Sequence, residues 1–410
     1  MSNRVLLIAS AMALLTGCGG DSEGASEAAN RPAGITMREW DARLAREELE
    51  SGRMDAAWQR VVELDTAGLT PSTTPNSETF AQVSIETVNR GPMHLPLYGD
   101  VKGPSVLRLQ ILLDRALFSP GIIDGHWGKN TEKALYWFQH REGLRRTGRL
   151  DQETFDKLVA AASGSPELVR AHTLTVGDVE GPFVPIPDDI YEKEKLECLC
   201  YENLTEKFTE QFHSAPEVLQ QLNPGVDLNA VTAGTVLNVP VVRDPASGQG
   251  AQIATIVVSG EGYYVHAVDA NERILFHFPT TLGSSFDPSP TGSHSVRSIT
   301  PDPWWHYQPD ILEHVPDDEP DANIPPGPNS SVGPVWMALS IEHYGIHGTA
   351  APETIGYTTS AGCIRLTNWD AIFLSERIRE GVPVEFRNAV VARPATGAPA
   401  APAPPAASGR

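Results

Sequence analysis

The hydrophobic period of this chain changes near Gln252, and the change divides what it can fold into. Before it, apolar residues recur at spacings of three and four, as in helices that bury one face. Trp40, Leu44, Ala45 and Leu49, then Ala57, Trp58, Val61 and Leu64, form one such set around Gly52 and predict a helix pair over 36–66. Val106, Leu109, Leu112 and Leu113 form a second set, and Ala134, Leu135 and Phe138 a third. After Gln252 come β-rich runs at 253–258, 263–268 and 274–278, separated by Gly260 and the polar stretch 269–273. A helical front and an antiparallel back predict a multidomain α+β chain. The back, 252–388, is expected to be sandwich-like, with one or two helices, the clearest at 369–381.

At 410 residues there is room for two to four domains of roughly 100–200 residues each. A net charge of −21 excludes nucleic acid as a partner, because counterion release needs a basic face. It also disfavours electrostatic docking on anionic lipid. The N-terminus offers another route to a membrane. Arg4 precedes an apolar run of 11 residues, Val5–Leu15, too short to span a bilayer at about 20 residues but suited to a secretory signal. The run ends in Leu15-Thr16-Gly17-Cys18, which resembles the lipobox of bacterial lipoproteins. That resemblance implies a signal peptide over 1–17, a lipid on Cys18, a flexible tether over 18–35 and a periplasmic location. Gly19 rather than Asp after the cysteine favours the outer membrane. The Ala- and Pro-rich stretch 391–410 reads as a disordered tail.

The turn Asp124-Gly125-His126-Trp127-Gly128, followed by Thr131 and the pair Phe138-Gln139, resembles the peptidoglycan-binding domain type 1 over 95–161. The resemblance implies a small three-helix module, with Asp124, Gly125, Trp127 and Gly128 as candidate glycan contacts. Gly125 and Gly128 are expected to take positive φ, Thr131 to cap the helix behind the turn, and Phe138 to be core. Between 200 and 243, Asn223-Pro224-Gly225 and Gly234-Thr235-Val236-Leu237-Asn238-Val239-Pro240 resemble a LysM segment, a βααβ glycan-binding unit whose opening strand is not legible here.

The chemistry concentrates in Ile346-His347-Gly348-Thr349 and Ser360-Ala361-Gly362-Cys363-Ile364-Arg365, with 15 residues between His347 and Cys363. A free thiol at neutral pH is only a few per cent thiolate, so a nearby base must activate it, and an imidazole suits the task. Backbone N–H groups at Ala361, Gly362 and Cys363 are placed to meet a developing oxyanion. These motifs, with Pro290-Thr291-Gly292 upstream, resemble the L,D-transpeptidase catalytic domain of the YkuD type; Ala361 stands where many members have His.

The resemblance implies Cys363 as nucleophile and His347 as base, with Ser360, Gly348, Thr349 and Arg365 as substrate contacts. A structural ion pair is an equal reading for Arg365. The expected donor is the stem tetrapeptide of peptidoglycan, which loses D-Ala. The acceptor is the diamino-acid amine of a second stem, giving a 3→3 cross-link, or an outer-membrane protein. Water as acceptor would make a carboxypeptidase, and an inert site would leave a tether between membrane and wall. No cofactor and no metal are required. Cys198 and Cys200 admit a strained bridge, a metal half-site or two small apolar residues, and the last is favoured because no second Cys or His cluster completes a metal site.

Overall fold

The computed structural model describes residues 82–162, 164–284, 287–309 and 319–387. The signal peptide, Cys18, the tether, the helix pair at 36–66 and the tail from 391 lie outside the described residues.

A short helix α1 (Ile85–Arg90), closed by a Ser84–Thr87 capping box, leads into three helices. These are α2 (Pro104–Arg115), α3 (Lys129–Arg141) and α4 (Gln152–Ala161). Pro104 suits the first turn of α2, where its missing N–H costs nothing. Val106, Leu109, Leu113, Ala134, Leu135 and Phe138 are all fully buried in the core that the predicted stripes anticipated. Gln139 fixes the turn between α3 and α4: its Oε1 accepts from Thr147 N and Gly148 N, and its Nε2 donates to Arg149 O.

A βααβ unit follows. Strand β1 (Val169–Thr173) pairs antiparallel with β2 (Val236–Pro240), and α5 (Leu204–Gln211) and α6 (Pro216–Leu222) lie between them in sequence. The opening strand therefore lies well upstream of 200–243. Its alternation of buried Val169 with polar Arg170 and His172 gives little hydrophobic signal. Cys198 and Cys200, expected as small apolar residues, form a disulfide with Cα atoms 5.2 Å apart. Leu199 between them is buried, its N–H donating to Pro326 O and its carbonyl accepting from Asn329 N.

The C-terminal part is one curled, mostly antiparallel sheet. Its strands are β3 (Thr255–Ser259), β4 (Tyr264–Val268), β5 (Ile274–Pro279), β6 (Gly292–Pro301), β9 (Val335–Leu339), β10 (Gly345–His347), β11 (Ile364–Arg365) and β12 (Pro383–Arg387). A separate hairpin joins β7 (Trp305–Tyr307) to β8 (Ala322–Ile324). The sheet order is β11-β10-β9-β6-β12-β3-β4-β5, with parallel pairs only at β10/β11 and β12/β3. Helix α7 (Asn368–Ser375), capped by Thr367, packs on it and ends six residues before Gly381.

The parts are joined through polar groups. Ser119 N donates to His277 O and His277 N to Leu117 O, tying the three-helix module to β5. Ile123 N and O pair with His213 O and Ala215 N of the βααβ unit. At the centre, Arg243 reaches Asp114 at 3.0 Å and Asp370 at 2.6 Å, all three buried. Ser119 donates to Asp370, and His213 lies 3.2 Å from Asp114. Burial alone would raise Asp114, but Arg243 and His213 outweigh it and hold the carboxyl down at about 2.

Candidate active site

Strands β10 and β11 run parallel, with Ile346 beside Ile364 and His347 beside Arg365. Ile346 and Ile364 are fully buried in the sheet core, so alternation sends His347, Cys363 and Arg365 to the opposite face. Gly362, at φ +97°, makes the turn into β11, and a Cβ there would strike the Tyr344 ring. Ser289 Oγ donates to Gly362 O at 2.7 Å, and Ser360 Oγ donates to Cys363 O at 2.6 Å. Ser360, expected as a substrate contact, is thus committed to bracing the nucleophile's turn.

Cys363 is a free, half-buried thiol. Its S–H reaches toward His343 O at 3.7 Å, and the Gly345 N–H points at the sulfur. His347 is buried and donates Nδ1–H to Gly348 O at 2.7 Å, which leaves the lone pair on Nε2, the form a base requires. Trp336 stacks on the imidazole with ring centroids 5.2 Å apart. Burial, followed by the charge of Arg365, holds His347 down at about 3, against the pull of the Gly348 bond. Burial also pushes the Cys363 thiol up, opposed by the Gly345 N–H and Arg365. Both shifts favour the neutral thiol and the neutral imidazole. The thiol's partners are backbone groups rather than His347; catalytic contacts of this kind commonly tighten only with substrate bound.

The N–H groups of Gly362 and Cys363 make no hydrogen bond among the described residues, so both remain for an oxyanion. Ala361 is exposed beside them. Arg365 has a buried Nε without a hydrogen-bond partner and no carboxylate ion pair among the described residues; its titratable neighbours are Cys363 and His347. Among the described residues no acid makes the ion-pair reading of Arg365. Gly348 admits no side chain, because a Cβ would meet Asn368 Oδ1. Thr349 is buried, its hydroxyl accepting from Ala351 N and its own N–H donating to Asn368 Oδ1. Gly348 and Thr349 therefore brace the base. Among the described residues no group of three or more His, Cys, Asp or Glu is placed to hold a metal.

The signature turn of the three-helix module is bonded to the rest of its own module, with His126 exposed. Asp124 Oδ1 accepts from Gln110 Nε2 and His126 N, both at 2.8 Å. Gly125 takes φ +71° and donates to Gln110 Oε1. Trp127 is half-buried against the module core. Gly128 is extended at φ −127° rather than left-handed, and a Cβ there would strike the Tyr357 hydroxyl. Thr131 does not cap α3; it lies inside the helix and accepts from Gln110. The backbone N–H groups of Lys129 and Asn130, in the first turn of the helix, point instead at the Tyr357 hydroxyl, from the catalytic domain.

A β domain with a thiol, an imidazole of fixed tautomer and a free N–H pair at one sheet edge defines a cysteine acyl-transfer enzyme. Residues 253–386 match the family model described as the L,D-transpeptidase catalytic domain, and 102–158 match a "Putative peptidoglycan binding domain". A protein of Fuscovulum blasticum named "Putative L,D-transpeptidase in ATP synthase subunits region ORF 5" is 35% identical over 148 residues, 30% of this chain and 77% of that one. "Putative L,D-transpeptidase YkuD" of Bacillus licheniformis is 27% identical over 181 residues, covering 44% of this chain and 92% of that protein. "Probable L,D-transpeptidase YbiS" of Escherichia coli K12 is 29% identical over 187 residues, 44% and 59% of the two chains. The chain belongs to the L,D-transpeptidase family.

Proposed function

We propose that this enzyme cross-links peptidoglycan through a thioester on Cys363. His347 Nε2 takes the thiol proton as sulfur attacks the carbonyl that joins the diamino-acid residue of a stem tetrapeptide to its terminal D-Ala. The tetrahedral oxyanion meets the Gly362 and Cys363 N–H groups. The C–N bond then breaks, His347 returns its proton to the departing amine, and D-Ala leaves a thioester behind. The amine of a second stem attacks that thioester, giving its proton to His347 and then to the sulfur as the 3→3 bond forms. Arg365, charged and without an acid of its own, is suited to a substrate carboxylate. The observation that carries this reading is the Nδ1–Gly348 bond, which presents His347 as a neutral base on the face that holds Cys363. The Leu15–Cys18 motif supports an outer-membrane lipid anchor facing the wall.

The test is a muropeptide profile of sacculi incubated with the purified protein. Dimers joined 3→3 and free D-Ala, both lost in Cys363→Ala, are expected. Tripeptide without dimers would move the assignment to hydrolysis, and unchanged muropeptides with retained binding would leave only a tether.

A further inference from the structure

The peptide joining Gly348 to Thr349 is a rigid plane with two jobs. Its carbonyl accepts from His347 Nδ1 at 2.7 Å, and its N–H donates to Asn368 Oδ1 at 2.8 Å. Because the peptide is planar and trans, fixing one side fixes the other. Asn368 is buried at the start of α7, and its amide is fully engaged. Oδ1 accepts from Thr349 N, while Nδ2 donates to Pro328 O at 3.1 Å and to Glu210 Oε1 at 3.0 Å. These partners settle which end of the amide is oxygen. Glu210 does not belong to the catalytic domain; it is on α5 of the βααβ unit, 158 residues away in sequence.

We propose that Glu210 is a positioning residue of the active site, contributed by the βααβ unit, which sets the His347 imidazole through Asn368 and the Gly348–Thr349 peptide. The unit is then part of the catalytic machinery's frame as well as a candidate glycan binder. This inference rests on His347 being the base. Burial pushes the Glu210 carboxyl up to about 8, with Glu206 adding to the rise and the Asn368 bond opposing it. In either protonation state its Oε1 is the acceptor that Asn368 Nδ2 meets. A glutamine offers the same acceptor in the same volume; a methionine fills the volume and offers none.

The experiment compares Glu210→Gln and Glu210→Met in the purified full chain by two readouts. The first is kcat and KM for D-Ala release; the second is the rate of Cys363 alkylation by iodoacetamide, with His347→Ala as the benchmark for a lost base. Glu210→Met is expected to lower kcat and the alkylation rate about tenfold with KM within twofold, a fraction of the ~10²–10⁴ that a positioned base supplies. Glu210→Gln is expected to restore both to within twofold of the parent. A wild-type alkylation rate in Glu210→Met, or an equal loss in both variants, would overturn the proposal. Should Glu210→Met fail to fold, Asn368→Ala takes its place, and a wild-type rate there overturns it too. Alkylation needs no peptidoglycan, so a parent protein that alkylates through His347 yet releases no D-Ala would count against the proposed reaction alone.

Discussion

In the three-helix module the signature residues face one another: Asp124 holds Gln110 and His126, Gly125 holds Gln110, and Gly128 makes room for Tyr357. In the catalytic sheet the signature residues leave groups unengaged: two N–H groups beside Cys363, the Nε2 lone pair of His347 and the guanidinium of Arg365. Both motifs are equally conspicuous in the sequence, yet one closes its hydrogen bonds and the other keeps them open. Buried polar groups are normally satisfied, so an unsatisfied cluster marks a place for a ligand and a satisfied one marks architecture.

That contrast can be broken by substitution. The largest effect is expected for His347→Ala, which should lower kcat by ~10²–10⁴ while the melting temperature stays within a few degrees; a few-fold loss would assign the base elsewhere. Next, Arg243→Met leaves Asp114 with His213 alone and Asp370 with no cation beside it. It should cost about 3–5 kcal/mol in urea unfolding, and an unchanged midpoint would show that the parts hold together without the cluster. Asp124→Ala removes the acceptor of the His126 N–H and one of the three acceptors of Gln110 Nε2, at about 0.5–1.5 kcal/mol, with activity retained at a temperature where the fold persists. Loss of sacculus binding without loss of stability would reverse the reading of that turn.

The smallest effect at neutral pH belongs to Lys133, buried on α3, whose ammonium is held down at about 7 by burial and then by Lys129. Its ordinary value is 10.5, so between those limits the unfolded chain binds the extra proton and stability rises with pH. The slope is at most ~1.4 kcal/mol per pH unit. Lys133→Met should flatten it from pH 7 to 10, and an unchanged slope would assign the rise to other groups.

How much of this was legible follows from how local each signal is. Strands β3 to β5 were readable because their apolar runs have strand length and turn residues between them. Cys363 and His347 were readable because fixed spacing marks them. Strand β1 was not, since Arg170 and His172 interrupt its pattern. The Cys198–Cys200 bridge needs the backbone to bring two Cα atoms within 5.2 Å over two residues, where Leu199 is bonded to Pro326 and Asn329. The Tyr357 hydroxyl at the start of α3 and the bond from Asn368 to Glu210 join residues more than 150 positions apart, or in different domains, and no periodicity reports such contacts. Sequence singled out Cys363 and His347; only the fold shows what holds them.

The measurement that bears most directly on the central claim is the intact mass of the protein mixed rapidly with a disaccharide-tetrapeptide and quenched in acid. The account predicts an adduct of donor minus D-Ala on the parent chain, absent from Cys363→Ala and discharged when an amine acceptor is added. D-Ala release with no adduct at any quench time, persisting in Cys363→Ala, would contradict it.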